Sequence, residues 1–458
     1  MEKLFKNKKV TIMGLGLLGG GRGVAKFFAK QRAKLLVTDL RTRRELKPSL
    51  EKLKGLPIKY ILGRHKEENF INTDLVIKNP GVRPDSFYLK IAKKHNIPIK
   101  TDISIFFDLC RGTIIGVTGT KGKSTTTTLI FKLLKTKYPK TILAGNIGVS
   151  PLEILARVDK ETKVVLELSS FELEDLKKSP KIAVITTLFP DHLNRYKNFK
   201  EYIKAKKPIF KYQKKNDILV LNYDNLETRK LAKEASSKVL FFTQHHFLKH
   251  KDRIFFRTKN GAGFRGSNVS AAILVAKIFK ISKKSIKKIL SEFKGIPNRQ
   301  ELIATKKGVK YINDTTATTP QSVILAIKRF SGSRIILIAG GQDKNLNYEN
   351  LAREIRKNVN HLILLPGTAS DKIKKELGSF KESSSFRAKS MKEAVKKAES
   401  LAQRGDIVLL SPGAASFTPL EVIKTKKKHK VLKPLTGFNL FKNEFDRGRQ
   451  FIKEVKKL

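Results

Sequence analysis

One cysteine, three methionines and no tryptophan stand in a chain of 458 residues. A single thiol, Cys110, excludes an internal disulfide framework and a cysteine-built metal cluster. Acidic residues are scarce as well. Asp and Glu number 40 against 96 Lys and Arg, a formal charge of +56. No apolar run approaches a bilayer span, because lysines interrupt each one. Met1-Glu2-Lys3-Leu4-Phe5 passes straight into Val10-Thr11-Ile12-Met13-Gly14, so no signal peptide is expected. Low-complexity segments and short-period repeats are missing too. These absences point to a reducing, cytoplasmic setting and to no membrane partner.

The charge excess has two readings. A basic stripe marks a nucleic-acid binder, whereas dispersed lysines mark a solvated surface. Here lysines occur in every segment and aromatic residues are not interleaved with them. No specific nucleic acid is expected, only nonspecific polyanion binding at low salt. The length favours two to four domains, and a hydrophobic content of 40% is ordinary for a globular chain.

What is present is a series of apolar runs that end in chemically useful turns. Thr113-Ile114-Ile115 reads as a buried strand, and Leu129-Ile130-Phe131-Lys132-Leu133-Leu134 has helical spacing. Between them lies Gly116-Val117-Thr118-Gly119-Thr120-Lys121-Gly122-Lys123-Ser124-Thr125. Strand, glycine-rich turn and helix start are the context of a phosphate-binding loop. Gly119 and Gly122 let backbone N–H groups curl toward phosphate oxygens, and the helix N-terminus adds partial positive charge. Lys123 reaches β- and γ-phosphates, and the Ser124 hydroxyl is a Mg²⁺ ligand. The motif is shorter than the usual loop and moderately specific. The competing reading is an ordinary turn with surface lysines.

Other runs end in the same manner. Val10-Thr11-Ile12-Met13 leads into Gly14-Leu15-Gly16-Leu17-Leu18-Gly19, a dinucleotide-type turn. Lys34-Leu35-Leu36-Val37-Thr38 ends at Asp39, where an acid meets a ribose in such folds. Asp74-Leu75-Val76-Ile77-Lys78 runs into Asn79-Pro80-Gly81-Val82, a turn at a sheet's carboxyl edge. Lys163-Val164-Val165-Leu166 ends at Glu167, and a carboxylate on a buried strand needs a partner or a metal. Ala183 to Leu188 leads to Asp191-His192, an acid beside a histidine just past a strand. Similar strands follow at Val309–Asp314, Arg334–Gly341, His361–Leu365 and Asp406–Gly413. Alternating strands and helices imply parallel sheets and an α/β class.

Taken in order, GLGLLG, NPGV, GVTGTKGKST, GNIG, LELSSFELE, DHLNRY, NRQE, YINDTTAT, GGQDK, LSPGAASF and FDRG cover nearly the whole chain. Their series resembles the Mur ligase family, in its D-glutamate-adding form. The resemblance implies three domains: a Rossmann-like UDP-substrate domain at 1–110, a P-loop ATPase-like ATP/Mg²⁺ domain at 111–300, and a Rossmann-like amino-acid domain at 301–458. It implies a monomer acting on UDP-N-acetylmuramoyl-L-alanine and D-glutamate through an acyl phosphate. Gly119, Thr120, Lys121, Gly122, Lys123, Ser124 and Thr125 would hold ATP, and Asn268, Arg299 and Asp314 match residues around ATP and its ribose. Ser124, Glu167, His192 and Lys206 would form the metal sites. Lys206 matches a lysine that the family carbamylates, and Lys123, His192 and Lys206 would be catalytic. Gly14, Leu15, Gly16, Leu17, Asp39, Arg41, Asn79, Pro80, Gly81 and Asn146 match the UDP-substrate side. Thr318, Lys344 and Ser416 match the D-glutamate pocket.

Some positions depart from the family pattern. Phe264-Arg265 stands where His-Asn is common, Asn298 where His precedes the arginine, and Thr316 where a lysine follows Asn-Asp-Ser. A lysine-rich insertion runs from Thr418 to Phe438, and Val422-Ile423 and Val431-Leu432 flank its lysines as the arms of a small hairpin. The alternatives are a sibling ligase for another amino acid, a folylpolyglutamate synthase, an inactive ligase-like binding protein, and a basic nucleic-acid-stimulated ATPase.

Overall fold

The computed structural model describes residues 4–17, 19–193, 195–243, 266–378, 384–416, 420–424, 430–434, 440–441 and 443–458, with the backbone alone at 420–424 and 430–434. Phe264-Arg265 and most of the Thr418–Phe438 insertion lie outside it. The described residues form three α/β sheets and a hairpin. They include no helix long and apolar enough to cross a membrane.

The first sheet contains β1 (Lys9–Met13), β2 (Lys34–Asp39), β3 (Ile58–Leu62), β4 (Leu75–Lys78) and β5 (Ile99–Lys100). Its order is β3-β2-β1-β4-β5, all parallel. The chain reverses its direction of travel across the sheet between β1 and β4. Ligands of open α/β sheets bind at such a reversal, outside the carboxyl ends. The turns opened by Gly14 and Asn79 lie there.

The second sheet holds β6 (Thr113–Thr118), β7 (Thr141–Gly145), β8 (Lys163–Glu167), β9 (Ile182–Ile185), β10 (Ile218–Asn222) and β11 (Lys238–Phe242). The order β11-β10-β9-β6-β8-β7 is again wholly parallel. Strand β6 sits between β8 and β9, so the phosphate-type loop leaves the sheet where Glu167 and Thr186 also emerge. An apolar cluster from Val10 to Leu231 runs through the first two sheets, and they pack as one compact unit, residues 1–189 with 198–294.

The second unit comprises residues 190–197 and 295–458. Its sheet contains β12 (Glu301–Lys306), β13 (Val309–Asn313), β14 (Ile335–Gly340), β15 (His361–Leu365), β16 (Ser385–Arg387) and β17 (Ile407–Leu410). The order is β12-β13-β17-β14-β15-β16, with β12 antiparallel at one edge. Residues of β14 alternate between two cores. Ile335, Leu337 and Ala339 join one, and Ile336 and Ile338 the other. A strand buried on both faces is apolar throughout, and each Ile or Leu so buried contributes about 1.5–3 kcal/mol. In the insertion, β18 (Leu420–Lys424) and β19 (Lys430–Pro434) pair antiparallel, with Val422 opposite Leu432 and Ile423 opposite Val431. The expected hairpin forms.

Candidate active site

The loop after β6 has a backbone that only glycine accommodates at two points. Gly119 and Gly122 have φ of 143° and 91°. A Cβ on Gly119 would meet the Thr186 hydroxyl at 2.0 Å, and one on Gly122 would meet Asn268 Oδ1 at 2.3 Å. Asn268, on the helix Gly266–Ile278, is thus seated against the loop. The helix Lys123–Lys135 starts directly afterwards, with Ser124 buried and Thr125 half-buried on its first turn. Thr120 N donates to Thr187 O at 2.6 Å, and Thr187 Oγ1 donates to Lys121 O at 3.0 Å.

Two lysines converge on this loop. Lys123 Nζ donates to Gly119 O at 2.9 Å and to Thr120 O at 3.1 Å. Lys206, on the helix Phe199–Lys206, is only 2% exposed. Its Nζ reaches Gly119 O at 3.2 Å and Thr118 Oγ1 at 3.4 Å, and it lies 4.7 Å from the centre of the Tyr202 ring. Tyr202 in turn donates to Thr120 Oγ1 at 3.3 Å. The sequence offers many lysines; the fold selects these two.

Glu167 ends β8 opposite Val117 of β6. Its Oε1 accepts from Asn146 Nδ2 at 3.0 Å. Its Oε2 is buried and has no hydrogen-bond partner among the described residues. An orphaned buried carboxylate oxygen costs stability, and a hard cation would satisfy it. With the Ser124 hydroxyl and substrate phosphates, this oxygen donor set fits Mg²⁺, which is held by few carboxylates and keeps several waters. Among the described residues no group of three or more His, Cys, Asp or Glu gathers for a metal. Behind this strand end, Glu172 accepts from Ser169 N at 2.7 Å and Ser169 Oγ at 2.6 Å. Burial first, and then the charge of Asp102, pushes the Glu172 pKa up to about 8. Burial likewise lifts Asp102 to about 6.

In the first sheet, Asp39 Oδ2 accepts from Leu15 N at 2.8 Å and Gly16 N at 3.1 Å, and its Oδ1 accepts from Arg41 N at 2.8 Å. Asp39 is buried and pins the glycine turn from within, while Arg41 and Leu17 are more open. Asn79 N donates to Met13 O at 3.1 Å, joining the Asn79-Pro80-Gly81 turn to the end of β1; its Oδ1 accepts from Gly81 N at 3.2 Å.

The second unit gathers the remaining candidates at the carboxyl ends of β13, β14 and β17. Asp314 accepts from Gln300 N at 3.2 Å and Ser411 Oγ at 3.1 Å. Arg299 lies half-buried beside Gln300. Lys344 Nζ donates to Thr318 Oγ1 at 3.0 Å and Asp191 Oδ1 at 3.3 Å. Gln342 and Ala415 exchange two 2.9 Å backbone bonds, which carry Ser416 to the same edge. The Ser416 hydroxyl is buried without a hydrogen-bond partner among the described residues. His192, with φ of 56°, follows Asp191, and its Nε2 is 3.7 Å from Asp191 Oδ2. Ser124, Glu167 and Lys206 belong to the first unit and His192 to the second.

Two of the departures meet each other here. Thr316 Oγ1 donates to Asn298 O at 3.0 Å. Asn298 has φ of 66°, a left-handed conformation that asparagine tolerates better than most residues.

Comparison with known proteins accounts for the arrangement. The Mur ligase MurD-like N-terminal domain matches residues 8–101, the Mur ligase middle domain 117–298, and the Mur ligase glutamate ligase domain 298–413. A UDP-N-acetylmuramoylalanine--D-glutamate ligase of Roseiflexus sp. (strain RS-1) is 39% identical, over 98% of each chain. The chain belongs to the Mur ligase family. A second D-glutamate ligase, of Borreliella burgdorferi (strain ZS7), is 38% identical over 99% of this chain and 98% of its own. Among solved Mur ligases, the UDP-N-acetylmuramate-alanine ligase of Thermotoga maritima superposes with a TM-score of 0.61 at 17% identity, covering 98% of this chain and 100% of its own. At that identity the likeness shows the fold. The structure also gives partners to two residues that sequence reasoning assigned no role, Asp191 beside Lys344 and Arg447.

Arg447 comes from the helix Glu444–Lys456 and is fully buried. It donates to Thr315 Oγ1 at 3.1 Å, Thr315 O at 2.8 Å and Ala414 O at 3.2 Å. One guanidinium therefore holds the loops after β13 and β17. Burial lowers its pKa to about 9, which leaves it charged at pH 7. Its only sequence signal was its place in the FDRG motif.

Proposed function

We propose that this Mur ligase joins D-glutamate to UDP-N-acetylmuramoyl-L-alanine at the expense of ATP, in the assembly of peptidoglycan precursors. The near-full-length likeness to D-glutamate ligases carries this reading. The reading divides the chain into a UDP-substrate region at 1–110, an ATP region at 111–300 and an amino-acid region at 301–458. It makes the protein a cytoplasmic monomer.

In the first step the substrate carboxylate oxygen attacks the γ-phosphorus. An O–P bond forms, the bond to the β-phosphate oxygen breaks, and ADP leaves. Phosphoryl transfer needs positioning and charge neutralisation. Lys123 swings from the Gly119 and Thr120 carbonyls onto the β- and γ-oxygens. Loop N–H groups from Gly119 to Thr125 would cradle the same phosphates, and Asn268, Arg299 and Asp314 are the candidates for ATP and its ribose. Glu167 and Ser124 would hold Mg²⁺, with His192 and a carbamylated Lys206 serving a second ion; bound Mg²⁺ neutralises the phosphate charge. Carbamylation joins the neutral Lys206 amine to carbon dioxide with loss of a proton, turning a cation into an anion.

In the second step the D-glutamate amine attacks the acyl carbonyl. A C–N bond forms, the amine loses a proton, and phosphate departs from the tetrahedral intermediate. Lys344, Thr318 and Ser416 would receive the D-glutamate carboxylates. A lysine suits an amino acid with two carboxylates, and the buried Ser416 hydroxyl, without a partner among the described residues, is a donor ready for one carboxylate oxygen. The turns at Gly14–Leu17 and Asn79–Gly81, with Asp39, Arg41 and Asn146, would receive the UDP-substrate. The test is product analysis by mass spectrometry after incubation with the three substrates. A UDP-muramoyl product gaining one glutamyl residue, with ADP and phosphate formed in equal amounts, is expected. ATP consumed without that product would refute the assignment.

A further inference from the structure

Lys78 is the last residue of β4, directly before Asn79-Pro80-Gly81. An apolar strand that ends in lysine ordinarily projects it into water. Here the side chain is 2% exposed. Its Nζ lies 3.0 Å from Glu174 Oε1 and 2.6 Å from Asp175 Oδ2. Both carboxylates follow the short helix Ser170–Leu173, which follows Glu167 at the end of β8. Glu174 is nearly as buried as the lysine, whereas Asp175 opens onto a cleft of about 1200 Å³.

A buried ion cluster of this kind contributes little net stability against an apolar replacement. What it does supply is a fixed geometry, because charges removed from water tolerate little separation. The cluster ties the turn of the first sheet to the segment that leaves the Glu167 strand. All three residues belong to one compact unit.

We propose that Lys78 is a positioning residue for ligation: its paired ammonium sets the Asn79-Pro80-Gly81 turn against the Glu167 strand end, and so sets the carboxylate of the UDP-substrate in line with the phosphate loop. This rests on the reading that the Asn79 turn receives the UDP-substrate. A misplacement of about 1 Å costs about a hundredfold in rate, so small slippage at the turn has a large kinetic effect.

The test uses the full chain. Lys78→Met is expected to raise KM for UDP-N-acetylmuramoyl-L-alanine and to lower kcat, with kcat/KM falling at least about tenfold, while KM for ATP changes little. Lys78→Arg retains the charge and is expected to recover part of the loss. Lys78→Met also leaves two carboxylates facing each other without their cation, a cost to folding in itself, so the neutral triple variant Lys78→Met, Glu174→Gln, Asp175→Asn is measured beside it. That variant is expected to regain the wild-type Tm and to keep the kinetic defect. A triple variant with wild-type KM and kcat would overturn the proposal, since the cluster would then serve stability alone. Amide hydrogen exchange gives a readout independent of turnover. Protection at residues 79–82 and 168–175 is expected to fall together in the folded triple variant, and unchanged protection would overturn the proposal. Wild-type protein that fails to ligate D-glutamate would refute the functional reading instead, and the exchange result would still decide the clamp.

Discussion

The phosphate-type loop and the proposed amino-acid site treat their lysines differently. At the loop, Lys123 and Lys206 both rest on the Gly119 carbonyl, so neutral backbone dipoles hold two cations close together. At the proposed amino-acid site, Lys344 is paired with the Asp191 carboxylate and the Thr318 hydroxyl. Carbonyls are weak competitors for an ammonium, and anionic phosphate replaces them readily. A carboxylate is a stronger partner. The loop is therefore poised for strong charge binding, while the proposed amino-acid site would exchange one carboxylate for another and gain less. The difference predicts large losses at the loop and smaller, substrate-selective losses at the pocket.

Lys123→Ala should cause the largest effect. Loss of one preorganised charge on the transferring phosphoryl group lowers turnover about 100-fold to 1000-fold or more. The Tm should stay near that of the wild type, because the side chain donates to carbonyls of its own loop, Gly119 and Thr120. Steady-state phosphate release with a thermal melt checks both; near-normal ligation would remove the loop from the mechanism. Lys206→Ala should also be inactive, but a small added carboxylic acid should restore part of the rate by supplying the anion a carbamate provides. Full activity without added acid would rule out carbamylation.

Lys344→Ala sharpens the contrast. KM for D-glutamate should rise about tenfold or more, the equivalent of one charge-assisted hydrogen bond, with KM for ATP almost unmoved. Equal increases in both would show that the pocket is not a separate site.

The smallest effect concerns Glu172, behind the Glu167 strand end. Its pKa of about 8 in the fold compares with an ordinary value of 4.5. Between those values the unfolded chain ionises while the folded chain keeps its proton. Stability therefore falls as pH rises from about 4.5 to about 8, and the loss is complete above that. Glu172→Gln preserves the capping geometry and cannot ionise, so its melting temperature should fall less over the same range. Parallel curves for the two proteins would contradict the buried, protonated carboxyl.

Much of this was legible in local sequence. The strand, turn and helix around Gly119–Lys123 are contiguous, and their residue types suit that geometry alone. The hairpin follows from two apolar pairs whose register is symmetrical about the lysines. Asp39 was placed correctly at the end of β2, but its oxygens bind the N–H groups of Leu15, Gly16 and Arg41, so it shapes the turn that a ligand would touch. The proposed amino-acid site was not legible from spacing. Asp191, Thr318, Lys344 and Ser416 come from four distant segments, and only the parallel order of β13, β17 and β14 brings the last three near one edge. Lys78 and Arg447 were missed for a related reason. Burial of a cation depends on partners far along the chain, and nothing near either residue announces them.

The most direct test of D-glutamate ligation is phosphate release with UDP-N-acetylmuramoyl-L-alanine, ATP and a panel of amino acids, repeated with added nucleic acid. Release that depends on D-glutamate, with kcat/KM for it far above L-glutamate, L-lysine, diaminopimelate and D-alanyl-D-alanine, is the expected result. A preference for another amino acid, or turnover stimulated by nucleic acid and indifferent to the UDP-substrate, would contradict it.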